Sequence, residues 1–158
     1  MEIRDAQGHV LFRYEGNLNQ CDLDELNLRG ANLRGVNFEG MMLTGTNLAF
    51  ADLREASFYW DPLIDVVLEG ANLEGANLQG TDLTNVNLRN ANLRNANVGP
   101  SNLGGPSVVY GSDFTGANLE GTVLAGAHYD DTTRFPEGFN PAERGMVYNP
   151  KRLPPPDL

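Results

Sequence analysis

Residues 71–98 read ANLEG ANLQG TDLTN VNLRN ANLRN ANV, and this stretch decides the fold. Leu73, Leu78, Leu83, Leu88, Leu93 and Val98 return every five positions, each preceded by Asn or Asp, with a small or apolar residue two places back. Extended outward, the step runs unbroken from Leu18 to Val108, and all 19 central positions are Leu, Phe or Val. No helix uses such a step, because residues set about 100° apart then place no apolar stripe on one side. No flat strand uses it either, since side chains alternate with period two and an odd step changes face. The chain must therefore turn between one central residue and the next. Within a unit, the centre i and residue i−2 share one side of a short extended piece. Both point inward, while i−1, i+1 and i+2 point out or form the corner. Ala31, Val36, Ala51, Ala71, Ala76, Val86, Ala91 and Ala96 fill the i−2 slot accordingly. A chain that turns at every unit buries its centres by stacking coil on coil, which makes a solenoid.

The repeated A-[DN]-L-x-x resembles the pentapeptide-repeat family over roughly Gly16 to Tyr129. The resemblance implies an all-β fold, a right-handed quadrilateral β-helix with four pentapeptides per coil. On that basis the centres sort into four faces. Face one carries Leu18, Phe38, Phe58, Leu78 and Val98; face two carries Leu23, Leu43, Leu63, Leu83 and Leu103. Face three carries Leu28, Leu48, Leu68, Leu88 and Val108, and face four Leu33, Leu53, Leu73 and Leu93.

Two stretches break the pattern. In Phe58-Tyr59-Trp60-Asp61-Pro62, Asp61 occupies an inward slot and Pro62 stands where Asn or Asp is usual. A buried carboxylate without partners is costly, so either the chain bulges or Asp61 accepts backbone N–H bonds. Tyr59 and Trp60 fall at outward positions; Trp60 either folds back over the flaw or forms an aromatic contact patch. The second break is Gly99 to Pro106. After Val108 the next centre is Phe114, a step of six, most simply one residue inserted around Tyr110-Gly111-Ser112. Register then resumes through Leu119, Leu124 and Tyr129, for just under six coils and a shaft about 27 Å long at ~4.8 Å per coil.

The ends depart from the repeat. Residues 1–15 carry Ile3, Val10, Phe12 and Tyr14 around the turn-like Asp5-Ala6-Gln7-Gly8, and a strand or β-hairpin is expected to cap the first coil. The repeat domain spans 16–130, and 131–150 forms a C-terminal cap. Asn140-Pro141-Ala142-Glu143 in it predicts a short helix, as N-cap and first-turn proline. The run Thr133 to Pro141 resembles the caps of cyanobacterial members of the family. Residues 151–158, with Pro154-Pro155-Pro156, are expected to be an extended or disordered tail.

The inventory for catalysis is poor. His9 and His128 lie one in each cap region, Cys21 stands alone in an inward slot, and no Cys/His cluster, phosphate-cradling loop or nucleophile with a base is present. The expectation is no enzyme, no cofactor and no metal. The Asn column at i−1 reads as structural, its amides bonding the turns. No apolar run approaches the ~18 residues of a membrane span, and residues 1–5 lack the make-up of a signal peptide; a cytoplasmic protein is expected.

Charge placement is more informative. The net charge is −10, which argues against direct nucleic-acid binding through phosphates. Between Gly16 and Asp130 there are 14 acids and five arginines. Arg29 and Arg89 lie on face three, and Arg34, Arg54 and Arg94 on face four. Face two instead collects Asp22, Asp24, Glu25, Asp61, Asp65 and Asp82. Such a one-signed field steers a basic protein partner, and the candidate interaction surface is Tyr59 and Trp60 with Asp22, Asp24, Glu25, Asp65 and Asp82. Two functions follow. One is a small monomeric scaffold or regulatory interaction module of the cyanobacterial type. The other, which the resemblance also implies, is an acidic DNA mimic that binds a type II topoisomerase, DNA gyrase. Met42, Pro62 and Ile64 interrupt face two and the arginines make faces three and four unlike DNA, so the first is preferred.

Overall fold

The corners of the shaft are made by the second residue after a centre, which takes a left-handed backbone conformation at every described corner but Pro100. Gly35 and Gly75 do so, and so do Glu25, Phe50, Glu55, Trp60, Asp65, Asn85, Asn90 and Asn95, with φ between 57° and 66°. The next i−2 residue closes the turn by donating its N–H to the carbonyl of the centre, as Ala76 does to Leu73 at 2.9 Å. A positive φ at the third residue is what a type II turn requires. Four such turns return the chain above itself after 20 residues. In the computed structural model, which describes residues 2–15 and 21–150, parallel bridges run from Asn32 to Asp52, Asn72 and Asn92 in succession. Leu18 and the tail 151–158, for which a centre and an extended segment are expected, lie outside the described residues.

Each rung is stitched in both directions. The N–H of Leu53 donates to the carbonyl of Asn72 one coil on (2.8 Å), and the N–H of Asn72 to that of Ala51 one coil back (2.9 Å). The i−1 side chain pins the turn: Asn77 Oδ1 accepts the N–H of Gln79 at 3.1 Å, and Asn72 Oδ1 also accepts Asn92 Nδ2 at 3.0 Å. The centres from Leu23 to Val98 are at most 2% exposed, and Phe38 stacks on Phe58 at 4.6 Å. Where a hydroxyl takes the inward i−2 slot, it donates to the carbonyl of a centre one coil and one unit back: Thr46 to Leu23 (2.7 Å) and Thr81 to Phe58 (2.8 Å). A buried hydroxyl is tolerated there because it is paired.

The rungs change spacing at two places, by six residues after Asn97 and by one between His128 and Arg134, where Val108 pairs with His128 but Asp113 with Arg134. Asn77 pairs with Asn97, but Asp82 pairs with Val108 and Asn87 with Asp113, 26 positions apart instead of 20. The six added residues are 101–106. Pro100 still stands in the corner column, its Cδ 3.2 Å from where a Cβ on Gly126 would be, and Ser107 Oγ donates to Leu78 O at 3.0 Å as an i−2 hydroxyl should. This corrects three expectations. Leu103 is not a centre; it is 72% exposed on the inserted loop. Val108 is an outward ladder residue, and the fully buried Val109 takes the inward place. The insertion precedes Val109 rather than lying at Tyr110–Ser112, and from Val109 the step of five continues through Phe114, Leu119, Leu124 and Tyr129. The leucine at 103 is in phase by spacing alone. Pro106 has no N–H for a rung and Gly104 turns the chain at φ 85°, whereas Ser107 finds the carbonyl that its slot offers.

At the N-terminal end, β1 (Glu2–Arg4) and β2 (Val10–Arg13) form an antiparallel hairpin. It docks through the Asp5–Ala31 bridge and through the N–H of Asn32 on the carbonyl of Arg4 (2.7 Å), with Ile3 buried. At the other end, β3 (His128–Tyr129) pairs in parallel with β4 (Val147–Tyr148). Phe135 stacks on Phe114 and Phe139 on Phe135, while Arg144 Nη2 donates to the carbonyls of Thr122 (3.0 Å) and Leu119 (3.4 Å). The short helix expected at Asn140 is a run of turns over 141–145. Its cap forms, with Asn140 Oδ1 accepting the N–H of Ala142 at 3.1 Å. Gly145, at φ 72°, then reverses the chain before a helix can propagate.

Candidate interaction surface

Face two is where the ladder is interrupted. On the other three faces parallel bridges continue from coil to coil, but among the described residues none joins Met42 to Pro62. Proline has no N–H to give the rung. At the neighbouring corners the N–H donates to the backbone one coil on, as Gly35 does to Arg54 O at 2.9 Å; that of Gly40 donates instead to Asp61 Oδ1 at 2.9 Å, as Gly111 does to Asp130 Oδ1 (3.4 Å). Asp61 is 5% exposed and its Oδ2 has no partner. Burial pushes its pKa up to about 6, against the pull of the Gly40 N–H and with the help of Glu39. Of the two accommodations open to this carboxylate, the chain takes the backbone hydrogen bond rather than a bulge: Leu63 stays buried and Pro62 pairs with Asp82.

Trp60 turns the corner immediately before Asp61 and is 53% exposed. Its indole lies over Gly80 one coil on, where a Cβ would stand 2.3 Å from Cδ1 and 2.7 Å from Ser101 Cβ. Its Nε1 sits 3.2 Å from the corresponding point on Gly105. The two interruptions, forty residues apart in the chain, thus meet at one corner. Tyr59 lies beside it, half-buried. Sequence reasoning missed an equivalent residue. Phe50 occupies the same slot at another corner, lies over Gly70, is 51% exposed and carries the Arg29 guanidinium 4.2 Å from its ring centroid. An aromatic at i+2, where Gly, Asn or a charge is usual, was the available signal.

The acids divide along face two. Asp22, Asp24 and Glu25 share one coil, Asp65 lies two coils on, and Asp82 one coil beyond it. Asp24 Oδ1 accepts the N–H of Thr44 (2.7 Å), and Asp82 Oδ1 accepts both the N–H and the hydroxyl of Thr84. Met42, Pro62 and Ile64 stand between the two groups, with Met42 49% exposed. The fold therefore puts Asp65 on the same coil as Trp60, at the next corner, and Asp82 one coil on, and leaves the other three roughly 10–14 Å away, two to three coil spacings down the face. Among the described residues, none of these five acids is in an ion pair. Four of the five shaft arginines are matched: Arg34 with Glu55 (2.8 Å), Arg54 with Asp52 (2.6 Å), Arg89 with Asp113 (3.2 Å) and Arg94 with Glu120 (3.6 Å); Arg29 lies over Phe50 instead. Acids and arginines nearly balance on faces three and four, and face two carries most of the uncompensated charge.

Among the described residues no group of three or more His, Cys, Asp or Glu is placed to hold a metal ion, and no helix is long and apolar enough to cross a membrane. Cys21 is fully buried, and burial pushes its thiol pKa up, away from the thiolate that a nucleophile needs. His9 sits on Asp5 in the hairpin, and His128 lies near Tyr110 at the opposite end.

A family model described as pentapeptide repeats matches eight copies, over residues 17–58 and 63–98. The gap between the two matches falls on Tyr59 to Pro62, the corner described above. Among solved structures, the chain is similar to Rfr23, a pentapeptide repeat protein from the cyanobacterium Cyanothece 51142. The identity is 30% over 73% of this chain and 88% of that one, with a TM-score of 0.44. It is similar at 27% identity to HetL from Nostoc sp. strain PCC 7120, a pentapeptide repeat protein involved in heterocyst differentiation regulation. That match covers 80% of this chain and 54% of that one, with a TM-score of 0.52. Another pentapeptide repeat protein from Nostoc is 30% identical over 82% of this chain and 86% of that one, with a TM-score of 0.33. No curated protein matches significantly.

Proposed function

This chain belongs to the pentapeptide-repeat family of right-handed β-helices, and from that premise we propose that it is a non-enzymatic interaction module, a small monomeric scaffold or regulator that offers face two to a basic protein surface. The observation that carries this reading is the contrast in charge pairing. Asp22, Asp24, Glu25, Asp65 and Asp82 are without ion pairs among the described residues, while four shaft arginines are matched on faces three and four. Unpaired surface charge of one sign accelerates encounter with an opposite surface and contributes little to holding it. The half-exposed Trp60, at the edge of the same face, supplies apolar area for that second task. The likeness to HetL favours a regulatory over a catalytic role.

The test is charge reversal on one face at a time. Proteins retained by the immobilised chain at low salt are identified, and their association is timed with the Asp65→Lys/Asp82→Lys variant. The comparison is a Glu69→Lys/Glu74→Lys variant of equal net charge on faces three and four. Slower, salt-dependent association is expected for the face-two variant alone; equal slowing in both would defeat the reading. Purified DNA gyrase is included with a supercoiling assay. Binding that inhibits supercoiling would move the assignment to an acidic DNA mimic.

A further inference from the structure

We propose that the loop 101–106, propped on Trp60, is the recognition element of this protein, and that its Leu103 enters an apolar pocket on the partner. The basic rim expected around that pocket rests on the face-two reading above; the pocket itself does not.

The phase of the repeat has no need of these six residues. Joining Pro100 directly to Ser107 gives Gly99-Pro100-Ser107-Val108-Val109, in which Val98 and Val109 are successive centres, Pro100 is the corner, Ser107 the inward i−2 hydroxyl and Val108 the outward ladder residue. That keeps the phase of the repeat, with the one departure that proline cannot take the left-handed conformation of the other corners. The loop is nevertheless well tied. The N–H of Ser101 donates to Gly105 O (2.8 Å), that of Gly104 to Ser101 O (2.9 Å), and that of Gly105 to Ser101 Oγ (3.2 Å). Gln79 Nε2 holds the entry at Pro100 O (3.2 Å), and Ser101 and Gly105 lie against the Trp60 indole. A segment whose removal keeps the phase of the repeat, yet that is held by three hydrogen bonds of its own, by Gln79 at its entry and by Trp60 beneath it, presents its tip in a fixed place.

What it presents is apolar. Leu103 is the most exposed of the large hydrophobic residues described, at 72%, between the exposed Asn102 and Gly104. A leucine held out on a preorganised turn loses little conformational freedom on binding and fits the small buried anchors that dominate interfaces. Its surroundings select the partner's charge. Trp60 leads into face two through Asp61 and Pro62, and Gly80, on which the indole rests, leads through Thr81 into Asp82. A pocket rimmed by Lys or Arg complements this setting, and an acidic rim is repelled by it.

The experiment places a photo-crosslinking phenylalanine analogue at position 103 of the full chain in cells of the source organism, with position 123, an exposed valine on face one, as the control. A discrete protein adduct at 103 and not at 123 is expected. That protein, purified, should bind the wild-type chain about tenfold or more tighter than Leu103→Ala or a chain lacking residues 101–106, and Leu103→Met should retain most of the affinity. No adduct at 103, or a captured partner that binds Leu103→Ala as tightly as wild type, overturns the proposal. Because Leu103 touches no core, its alanine variant decides the matter even if the deletion fails to fold. Loss with Leu103→Ala but none with Asp65→Lys/Asp82→Lys keeps the loop and rejects the acidic face; the opposite pattern rejects the loop and keeps the face.

Discussion

The indole of Trp60 lies so close to Gly80 that a methyl group on residue 80 would stand 2.3 Å from Cδ1. The same arrangement recurs along the shaft, with Phe50 over Gly70 and Asn90 over Gly116. A corner residue that carries a side chain lays it across the bare corner of the next coil, so corner glycines serve two purposes: the left-handed turn and the space above it.

These two purposes can be separated. Gly35→Ala, at φ 67° with open space around it, bears only the conformational penalty of about 1–2 kcal/mol. Gly80→Ala, at nearly the same φ, must also displace Trp60. It is expected to be the less stable of the two by urea denaturation and the only one to shift the emission of the chain's single tryptophan. Equal stabilities with unchanged emission would mean that Trp60 does not rest there.

Leu78 and Leu103 occupy the same phase of the repeat and opposite environments. Leu78→Ala should cost roughly 2–5 kcal/mol through lost burial and the cavity left behind. Asn77→Ala, beside it, should cost about 1 kcal/mol, the worth of the hydrogen bond to the Gln79 N–H. Leu103→Ala should change stability by less than about 0.5 kcal/mol. Denaturant midpoints rank the three, and a large loss at 103 would return that leucine to the core.

Removal of residues 101–106 should leave an unbroken shaft. The far-ultraviolet circular dichroism spectrum is expected to keep its shape. Trp60 emission should move to longer wavelength as Ser101 and Gly105 leave the indole. Loss of the cooperative unfolding transition would show that the loop is part of the fold and not an addition to it.

Asp61 opposes folding at neutral pH. Its pKa is about 6 in the folded chain against an ordinary 3.8, so between these values the folded state holds a proton that the unfolded state has released. Stability therefore falls as pH rises through this window, by up to ~3 kcal/mol, and stays low above it. Asp52, whose pKa the Arg54 guanidinium holds down, acts in the opposite sense, losing its contribution as pH falls below the ordinary carboxylate range. It is common to wild type and variant and cancels between them. Asp61→Asn keeps an oxygen for the Gly40 N–H. The variant should be more stable than wild type at pH 8, and the two should converge near pH 4. Urea midpoints across that range check the sign, and a variant less stable at pH 8 would refute it.

Much of the shaft was legible residue by residue. The step of five and the small residues at i−2 identify which side chains face in from Leu23 to Val98, because every unit repeats one backbone geometry and inwardness is then a matter of spacing. The same spacing placed the acids on face two and the arginines on faces three and four. Spacing failed where two readings kept the phase. Leu103 follows Val98 by the regular five residues, and only contacts some twenty residues away or more, between Ser107 and the Leu78 carbonyl and between Trp60 and Gly105, decide that it is excluded. The Asn140 cap reads as a helix start because capping is local, whereas Gly145 and the pairing of Val147 with His128 end the helix before it begins. Asp61 and Trp60 stood out in the sequence as departures, but their partners, Gly40 and Gly80, lie a full coil away. By itself, then, the sequence determined the solenoid, its inward column and its distribution of charge, all of which follow from local periodicity. Tertiary structure alone decided where the column is interrupted, what emerges there and which charges remain unpaired, because those depend on which coil lies next to which.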